Sequence, residues 1–344
     1  MRVLFFSYPS AFQNVGGGEI LLLKMKEYLE KSGVEVKLFD MWADRVEQYD
    51  ILHVFGSVKD CLGLVKVARS RGVPVVNTPI LWSSWKMAFF SYGAWRAKAK
   101  LILRHFMKWA FPFFPSARRE LLLSSDLLFP SSEMERHFMR RMFAIPDEKM
   151  RVIHHATDRL FLNADPVLFR QHYPFDRFIL SVGRIEPRKN QLNLVRAAKK
   201  LLFPLVIVGD PVSGFEEYAQ QCRLEAPHQV HFLGGLPHDS PLLLSAYAAC
   251  DLFVLPGWFE TPGLAALEAG LAGARLAVTE CGSTREYFKE HVEYFDPSSP
   301  SKIAQAIARA LARPKEEVLK QHILDHFTWE KVALDTRRAY EEIS

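Results

Sequence analysis

Short apolar runs alternate along this chain with stretches whose apolar residues recur at helical spacing, the pattern of a parallel sheet covered by helices on both faces. Val3 to Ser7 reads as a buried first strand, Glu19 to Lys31 as a helix, and Gly33 to Asp40 as a turn and second strand. Ile51 to Phe55, a helix near Asp60 to Arg71 and the strand Val73 to Thr78 follow. An aromatic-rich helical region fills 84–111 until Pro112 and Pro115 end it, and Leu127–Phe129 and Arg151–Ile153 read as short strands. After a polar stretch at 157–176 the alternation restarts. Strands are expected at Phe178–Val182, Leu205–Gly209, Val230–Leu233, Leu252–Leu255 and Arg275–Val278, with helices at 190–201, 214–224, 240–249, 262–271 and 300–312. Thr328 is an N-cap candidate for a last helix running to Ile343.

The spacing therefore predicts an α/β chain of two doubly wound domains, residues 1–157 and 165–326, with one more helix over 328–344. Length agrees, since 344 residues that are 49% hydrophobic can build two cores. Twenty prolines and 18 glycines in no repeating pattern, with 24% charged residues, exclude collagen-like and disordered chains. No self-similar period marks a solenoid. Cys61, Cys222, Cys250 and Cys281 lie too far apart for a zinc motif or a disulfide framework, and a reducing cytoplasm is the expected setting. Met1-Arg2 leads straight into Val3-Leu4-Phe5-Phe6, too short for a signal-peptide core, and no run reaches the ~18 apolar residues of a membrane span.

Ligands of doubly wound sheets bind beyond the carboxyl ends of strands, so the loops there carry the candidate chemistry. Gly16-Gly17-Gly18-Glu19 precedes a helix, where bare backbone and free N–H groups favour an anion such as phosphate; a flexible turn is the alternative. A dinucleotide loop fits poorly, because eight residues separate Ser7 from Gly16 and no third glycine completes the G-x-G-x-x-G fingerprint. Gly183-Arg184-Ile185-Glu186-Pro187-Arg188-Lys189-Asn190 lies at the end of the second domain's first strand, where Arg184 and Lys189 can converge on a diphosphate. The chain has no Asp-x-Asp, the usual divalent-ion handle of nucleotide-sugar enzymes. In Trp258-Phe259-Glu260-Thr261-Pro262-Gly263-Leu264, Pro262 suits the first turn of a helix, placing Glu260 just before it and Glu268 about two turns in. Glu268 sits among Leu264, Ala265, Leu267 and Ala269, a poor place for an unpaired charge.

Taken in order, Gly16 to Glu19, Gly183-Arg184 through Lys189, Gly209-Asp210, Phe232-Leu233-Gly234, Glu260 with Glu268, and Asp296-Pro297 resemble the retaining glycosyltransferases of family GT4, which have the GT-B fold of two Rossmann-like domains facing across a cleft. The resemblance covers nearly the whole chain, is sharpest over 178–297, and implies that the helix over 328–344 returns to the first domain. It implies that Arg184 and Lys189 grip the donor diphosphate, that Glu260 contacts the transferred sugar, and that Glu268 binds the ribose. Gly183, Gly263 and Leu264 would approach the phosphates, Leu233 and Gly234 would line the base pocket, and Gly17 and Gly18 would face the donor from the first domain. The implied reaction is metal-independent sugar transfer from a UDP- or GDP-sugar with retention of configuration and no cofactor. The departing diphosphate would help deprotonate the acceptor. Two positions depart from the family. Relatives end the strand equivalent to Val73–Thr78 in an active-site histidine, but this chain reads Asn77-Thr78-Pro79-Ile80, so a backbone carbonyl near Thr78–Ile80 is the expected substitute. His154-His155 stands where an Asn-Gly is common, as acceptor or hinge residues or in a structural role.

Net charge is only +5, yet residues 61–119 hold eleven basic and no acidic residues, which leaves the rest of the chain net acidic. At 100° per residue Lys98, Lys100, Arg104, His105 and Lys108 fall on one side of a helix, and Ile102, Leu103, Phe106, Met107, Trp109 and Ala110 on the other. This segment, with Trp95 and Arg96, is expected to dock on an anionic membrane surface, giving a cytoplasmic enzyme peripheral on the inner face of the membrane. The acceptor would then be a glycan or a lipid-linked molecule. Coverage of the domain's own core by the apolar face is the alternative. Nucleic acid is not an expected partner. A nicotinamide dehydrogenase lacks its loop here, a glycoside hydrolase built on Glu260 and Glu268 leaves Arg184 and Lys189 without a role, and a non-catalytic nucleotide-sugar or membrane-binding module differs only in turnover.

Overall fold

The computed structural model describes residues 1–13, 15–81, 89, 95–315 and 317–344. They form two compact units, one of Met1–Trp82, Leu103–Ala156 and Trp329–Ser344, the other of Ser83–Ile102 and Thr157–Thr328.

Among the described residues the first unit has five parallel strands: β1 (Arg2–Ser7), β2 (Glu35–Leu38), β3 (Ile51–Phe55), β4 (Val75–Thr78) and β5 (Leu127–Leu128), in the order β2-β1-β3-β4-β5. Strand alternation sends Val3 and Phe5 to one face and Leu4 to the other. One core packs helix Gly17–Lys31 against the last helix, Trp329–Glu341, through Leu21, Met25, Trp329 and Tyr340. The other covers Leu52 and Val54 with Val65 and Ala68 of helix Leu62–Ser70. The fully buried Leu, Val and Met side chains among these contribute about 1.5–3 kcal/mol each.

The second unit has six parallel strands among the described residues: β6 (Ile179–Val182), β7 (Leu205–Val208), β8 (Val230–Gly234), β9 (Leu252–Leu255), β10 (Arg275–Thr279) and β11 (Glu293–Phe295), in the order β11-β10-β9-β6-β7-β8. Phe253 and Leu255 of β9 join the core on one face, Leu252 and Val254 the core on the other. β6 lies between β9 and β7, where the order reverses and a crevice opens beyond the carboxyl end of the strand.

Several expectations shift. Arg151–Ile153 is not a strand: it runs beside β5 through Arg151 N–H to the Leu128 carbonyl and Ile153 N–H to the Pro130 carbonyl, but Pro130 has no N–H to return and the ladder stops. Helices Ala117–Ser124 and Glu133–Phe143 were not anticipated, although each has a readable start. Ser116 and Ser132 accept from the N–H groups of Arg119 and Glu135, the second in a Ser-x-x-Glu sequence. Helices Thr284–Phe288 and Glu317–His326 and strand β11 were also missed, being short and weakly periodic. Of the region expected to be helical over 84–111, the helix Trp95–Ala110 and Phe89 are described; Trp85, Phe90 and Tyr92 lie outside the described residues.

His53 is fully buried on β3, bonded through Nδ1 to the Tyr340 hydroxyl and through Nε2 to Thr78 Oγ1 at 2.8 Å, with Phe5, Phe55 and Phe129 around its ring. Burial pushes its pKa from 6.5 to about 3. Between those values the unfolded chain binds a proton that the folded chain refuses, so stability is complete above pH 6.5 and falls as pH drops toward 3, by ~1.4 kcal/mol per pH unit from this group. Urea unfolding between pH 7 and 4 should show this slope reduced in His53→Gln; an equal slope in both proteins would refute it.

Candidate active site

Four loops leave the carboxyl ends of β6 to β9 and meet. The loop after β6 begins with Gly183, and the one after β7 approaches so closely that a Cβ on Gly209 would lie 2.1 Å from the Gly183 carbonyl oxygen. Ile185 N–H donates to the Asp210 carbonyl and Gly209 N–H to that of Gly234, while Asp210 Oδ1 receives Gly235 N–H at 2.8 Å. The Gly209-Asp210 pair is thus a joint between neighbouring loops. Arg184, about one-third exposed, lies 3.7 Å from Glu186.

A 3-10 turn at Pro187–Lys189 then directs Lys189 back over Gly183. Asn190 fixes that turn. Its buried side-chain amide donates to the carbonyls of Pro256 at 3.0 Å and Pro297 at 2.9 Å, and Asn193 adds a second bond to Pro297. Trp258 N–H also donates to the Arg188 carbonyl, tying the loop after β9 to the loop after β6. This role of Asn190 leaves no local signal in the sequence, because its bonds reach 66 and 107 residues along the chain.

Lys189 Nζ lies 2.9 and 3.0 Å from the two carboxylate oxygens of Glu260. Glu260 is 3% exposed. Desolvation pulls the Lys189 pKa below its ordinary value and the Glu260 charge opposes that fall. The backbone of Glu260 is held by Cys281 and Ser283, and a Cβ on Gly282, whose φ is +102°, would lie 2.1 Å from the Glu260 carbonyl oxygen. Gly257 lies under the carboxylate itself, where a Cβ would come within 2.1 Å of Oε1.

Pro262 is not in the first helical turn. Gly263 is the N-cap and the helix begins at Leu264, ending at Leu271, after a cis Thr261-Pro262 bond. Glu268 is therefore just over one turn in. It is 5% exposed, and its two oxygens accept separately from His238 Nε2 and the Tyr247 hydroxyl, each at 2.7 Å. Leu233 and Gly234 end β8, ahead of the loop that carries His238.

The other expected groups lie elsewhere. Gly17 and Gly18 open helix Gly17–Lys31 in the first unit, where Glu19 caps the helix by accepting from Gly16 N–H and the Tyr8 hydroxyl, both at 2.9 Å. The Thr78 carbonyl receives Gly56 N–H at 2.8 Å within the sheet, so that acceptor is engaged in place; His155 is buried and His154 half-buried.

The helix Trp95–Ala110 corrects the expected division of faces. Trp95, Leu103 and Phe106 are 73%, 60% and 56% exposed, and Met107 and Trp109 are exposed too, so the apolar side does not cover a core. Arg96, Lys100 and Arg104 are exposed, but Lys98 and Lys108 are half-buried. Lys108 lies 5.0 Å from the Phe143 ring centre, and burial, then Arg118 and Arg104, push its pKa down to about 8. The Arg141 guanidinium stacks 4.7 Å over Trp109. Among the described residues no helix is long and apolar enough to cross a membrane.

Residues 169–322 match the family described as Glycosyl transferases group 1. The chain is 28% identical over 221 residues to an uncharacterized glycosyltransferase of Methanocaldococcus jannaschii, covering 58% of this chain and 56% of that one. It is 25% identical over 263 residues to the O-antigen chain mannosyltransferase B of Escherichia coli, covering 67% and 64%. The chain thus matches about six-tenths of the length of these relatives. In fold it is similar to Anabaena HepE in complex with UDP, with a TM-score of 0.75 over 99% of this chain and 100% of that one at 17% identity.

Replacing Lys189 by Met leaves Glu260 buried without its cation and should cost about 3 kcal/mol in urea unfolding. Adding Glu260→Gln should recover part of that loss. Additive losses in the double variant would show that the pair is not coupled.

Proposed function

We propose, from the match of residues 169–322 to Glycosyl transferases group 1 and from the GT-B fold, that the chain is a GT4-type glycosyltransferase that transfers a sugar from a UDP- or GDP-sugar to an acceptor with retention of configuration. The observation that carries this reading is the gathering of Arg184, the Lys189–Glu260 pair and Glu268 at the carboxyl end of one sheet. HepE's complex with UDP supports a nucleoside diphosphate as the ligand.

Arg184 and Lys189 supply positive charge where the leaving diphosphate accumulates negative charge, and prearranged charge of this kind is the largest contribution a protein makes to such a step. Lys189 is shared: its Glu260 partner lies within reach of a sugar hydroxyl once the diphosphate draws on the ammonium. The departing diphosphate takes the acceptor proton from the same face, which retains the configuration. With charge supplied by side chains, turnover is expected to continue in EDTA.

The acceptor is a lipid-linked or cell-envelope glycan met at an anionic membrane surface. Trp95, Leu103 and Phe106 enter the interface while Arg96, Lys100 and Arg104 meet lipid phosphates. Lys108 and Lys98 stand outside this contact because both are half-buried.

In a thermal-shift panel of UDP, GDP, ADP and NAD, either UDP or GDP should raise the midpoint, by ~2.7 kcal/mol of stability at a hundred times Kd. Arg184→Ala or Lys189→Ala should markedly reduce the rise, and stabilisation by NAD alone would overturn the reading. Flotation should show binding to vesicles rich in phosphatidylserine at low salt, lost in a Leu103→Ser, Phe106→Ser variant and weakened when Arg96, Lys100 and Arg104 become Ser. Unchanged flotation of both variants would sink the membrane contact.

A further inference from the structure

Glu268 is held in a manner that the chemistry proposed above does not require. A buried carboxylate can be satisfied by one cation, as Glu260 is by Lys189. Glu268 instead has a different neighbour on each oxygen, His238 Nε2 on Oε1 and Tyr247 Oη on Oε2, both at 2.7 Å. Those neighbours come from one continuous segment. β8 ends at Gly234, the Pro237 carbonyl accepts from Ser240 N–H to close a turn around His238, and Ser240 caps the helix Pro241–Ala249 that carries Tyr247. Phe161 packs edge-on against both rings, 5.8 Å from His238 and 5.7 Å from Tyr247. Tyr247 is fully buried, and desolvation followed by the Glu268 charge holds its pKa well above the ordinary phenol value, so it remains a donor.

Two donors on separate oxygens, each in a packed ring, set the plane of the carboxylate as well as its place. A carboxylate has about four acceptor sites, and the two side chains engage one on each oxygen. What remains is a pair of acceptors at fixed spacing and orientation, which matches the two adjacent hydroxyls of a ribose. A single hydroxyl or a charge needs no such plane.

We propose that His238 and Tyr247 are positioning residues for nucleotide recognition: by fixing the plane of Glu268 they set the preference for a ribonucleoside over a deoxyribonucleoside diphosphate. This rests on Glu268 being the ribose ligand. His238 and Tyr247 act through that carboxylate and need not touch the nucleotide.

The test is calorimetric binding of UDP, 2′-deoxy-UDP, GDP and 2′-deoxy-GDP to the full chain. The wild type should favour the ribonucleotide of the base it accepts by about tenfold, the worth of one net hydrogen bond. Tyr247→Phe, which keeps the ring packing, and His238→Ala should each bring the ratio close to one, and His238→Gln, which restores an N–H donor, should recover it. Arg184→Ala should weaken both nucleotides alike and leave the ratio intact, a pattern that a purely structural defect would not give. If Glu268→Gln abolishes the preference while Tyr247→Phe and His238→Ala retain it, the positioning role is overturned and the ribose role stands. If Glu268→Gln retains it, or the wild type shows none, the ribose reading itself fails.

Discussion

The constraint on which the second unit depends is the burial of two opposite charges together. Neither Lys189 nor Glu260 can be taken from water alone, since an uncompensated buried charge costs several kcal/mol. Paired at 2.9 and 3.0 Å, they can sit at the end of the sheet, and the surrounding loops are arranged to keep them there. Asn190 fastens the turn that delivers Lys189 to the loops at Pro256 and Pro297, and glycines at 257 and 282 leave room for the side chain and backbone of Glu260. A pair held in this way gives geometry more than stability, and it leaves an ammonium able to turn toward a second anion.

The two acids of the Glu260 and Glu268 motif are eight residues apart and differ in every physical respect but burial. Glu260 lies on irregular backbone against a cation. Glu268 lies on a helix against a histidine and a phenol. One environment suits the place where phosphate charge changes during a reaction, and the other suits constant recognition of hydroxyl groups. Lys189, the partner of Glu260, follows β6, whereas His238 and Tyr247, the partners of Glu268, follow β8, so the two acids of one loop and helix after β9 draw on different neighbouring loops.

A different physical balance governs the helix Trp95–Ala110. Its inward groups include His105 and Lys108, and its exposed groups include Leu103, Phe106 and Met107. Large apolar side chains left in water beside Arg96, Lys100 and Arg104 make an amphipathic surface of the kind that lipid interfaces accept. Arg141, brought from helix Glu133–Phe143, adds a further cation over Trp109.

Apolar alternation and helical periodicity determined the parallel sheets and nearly all their strands, because burial on both faces leaves a continuous apolar run whatever the neighbours are. The positions of Arg184, Lys189, Glu260 and Glu268 were legible for the same local reason: the first three follow or precede a recognisable strand or helix, and Glu268 lies within one. What touches those residues was not legible. His238, Tyr247, Gly257 and Gly282 carry no motif of their own, Asn190 only ends one, and their roles arise from loops separated by tens of residues that meet only when the strands align. The faces of helix Trp95–Ala110 show the same limit, since periodicity divides a helix into sides but only packing against Phe143 decides which side turns inward. Local pattern fixes what can be buried; the order of strands in the sheet decides beside whom.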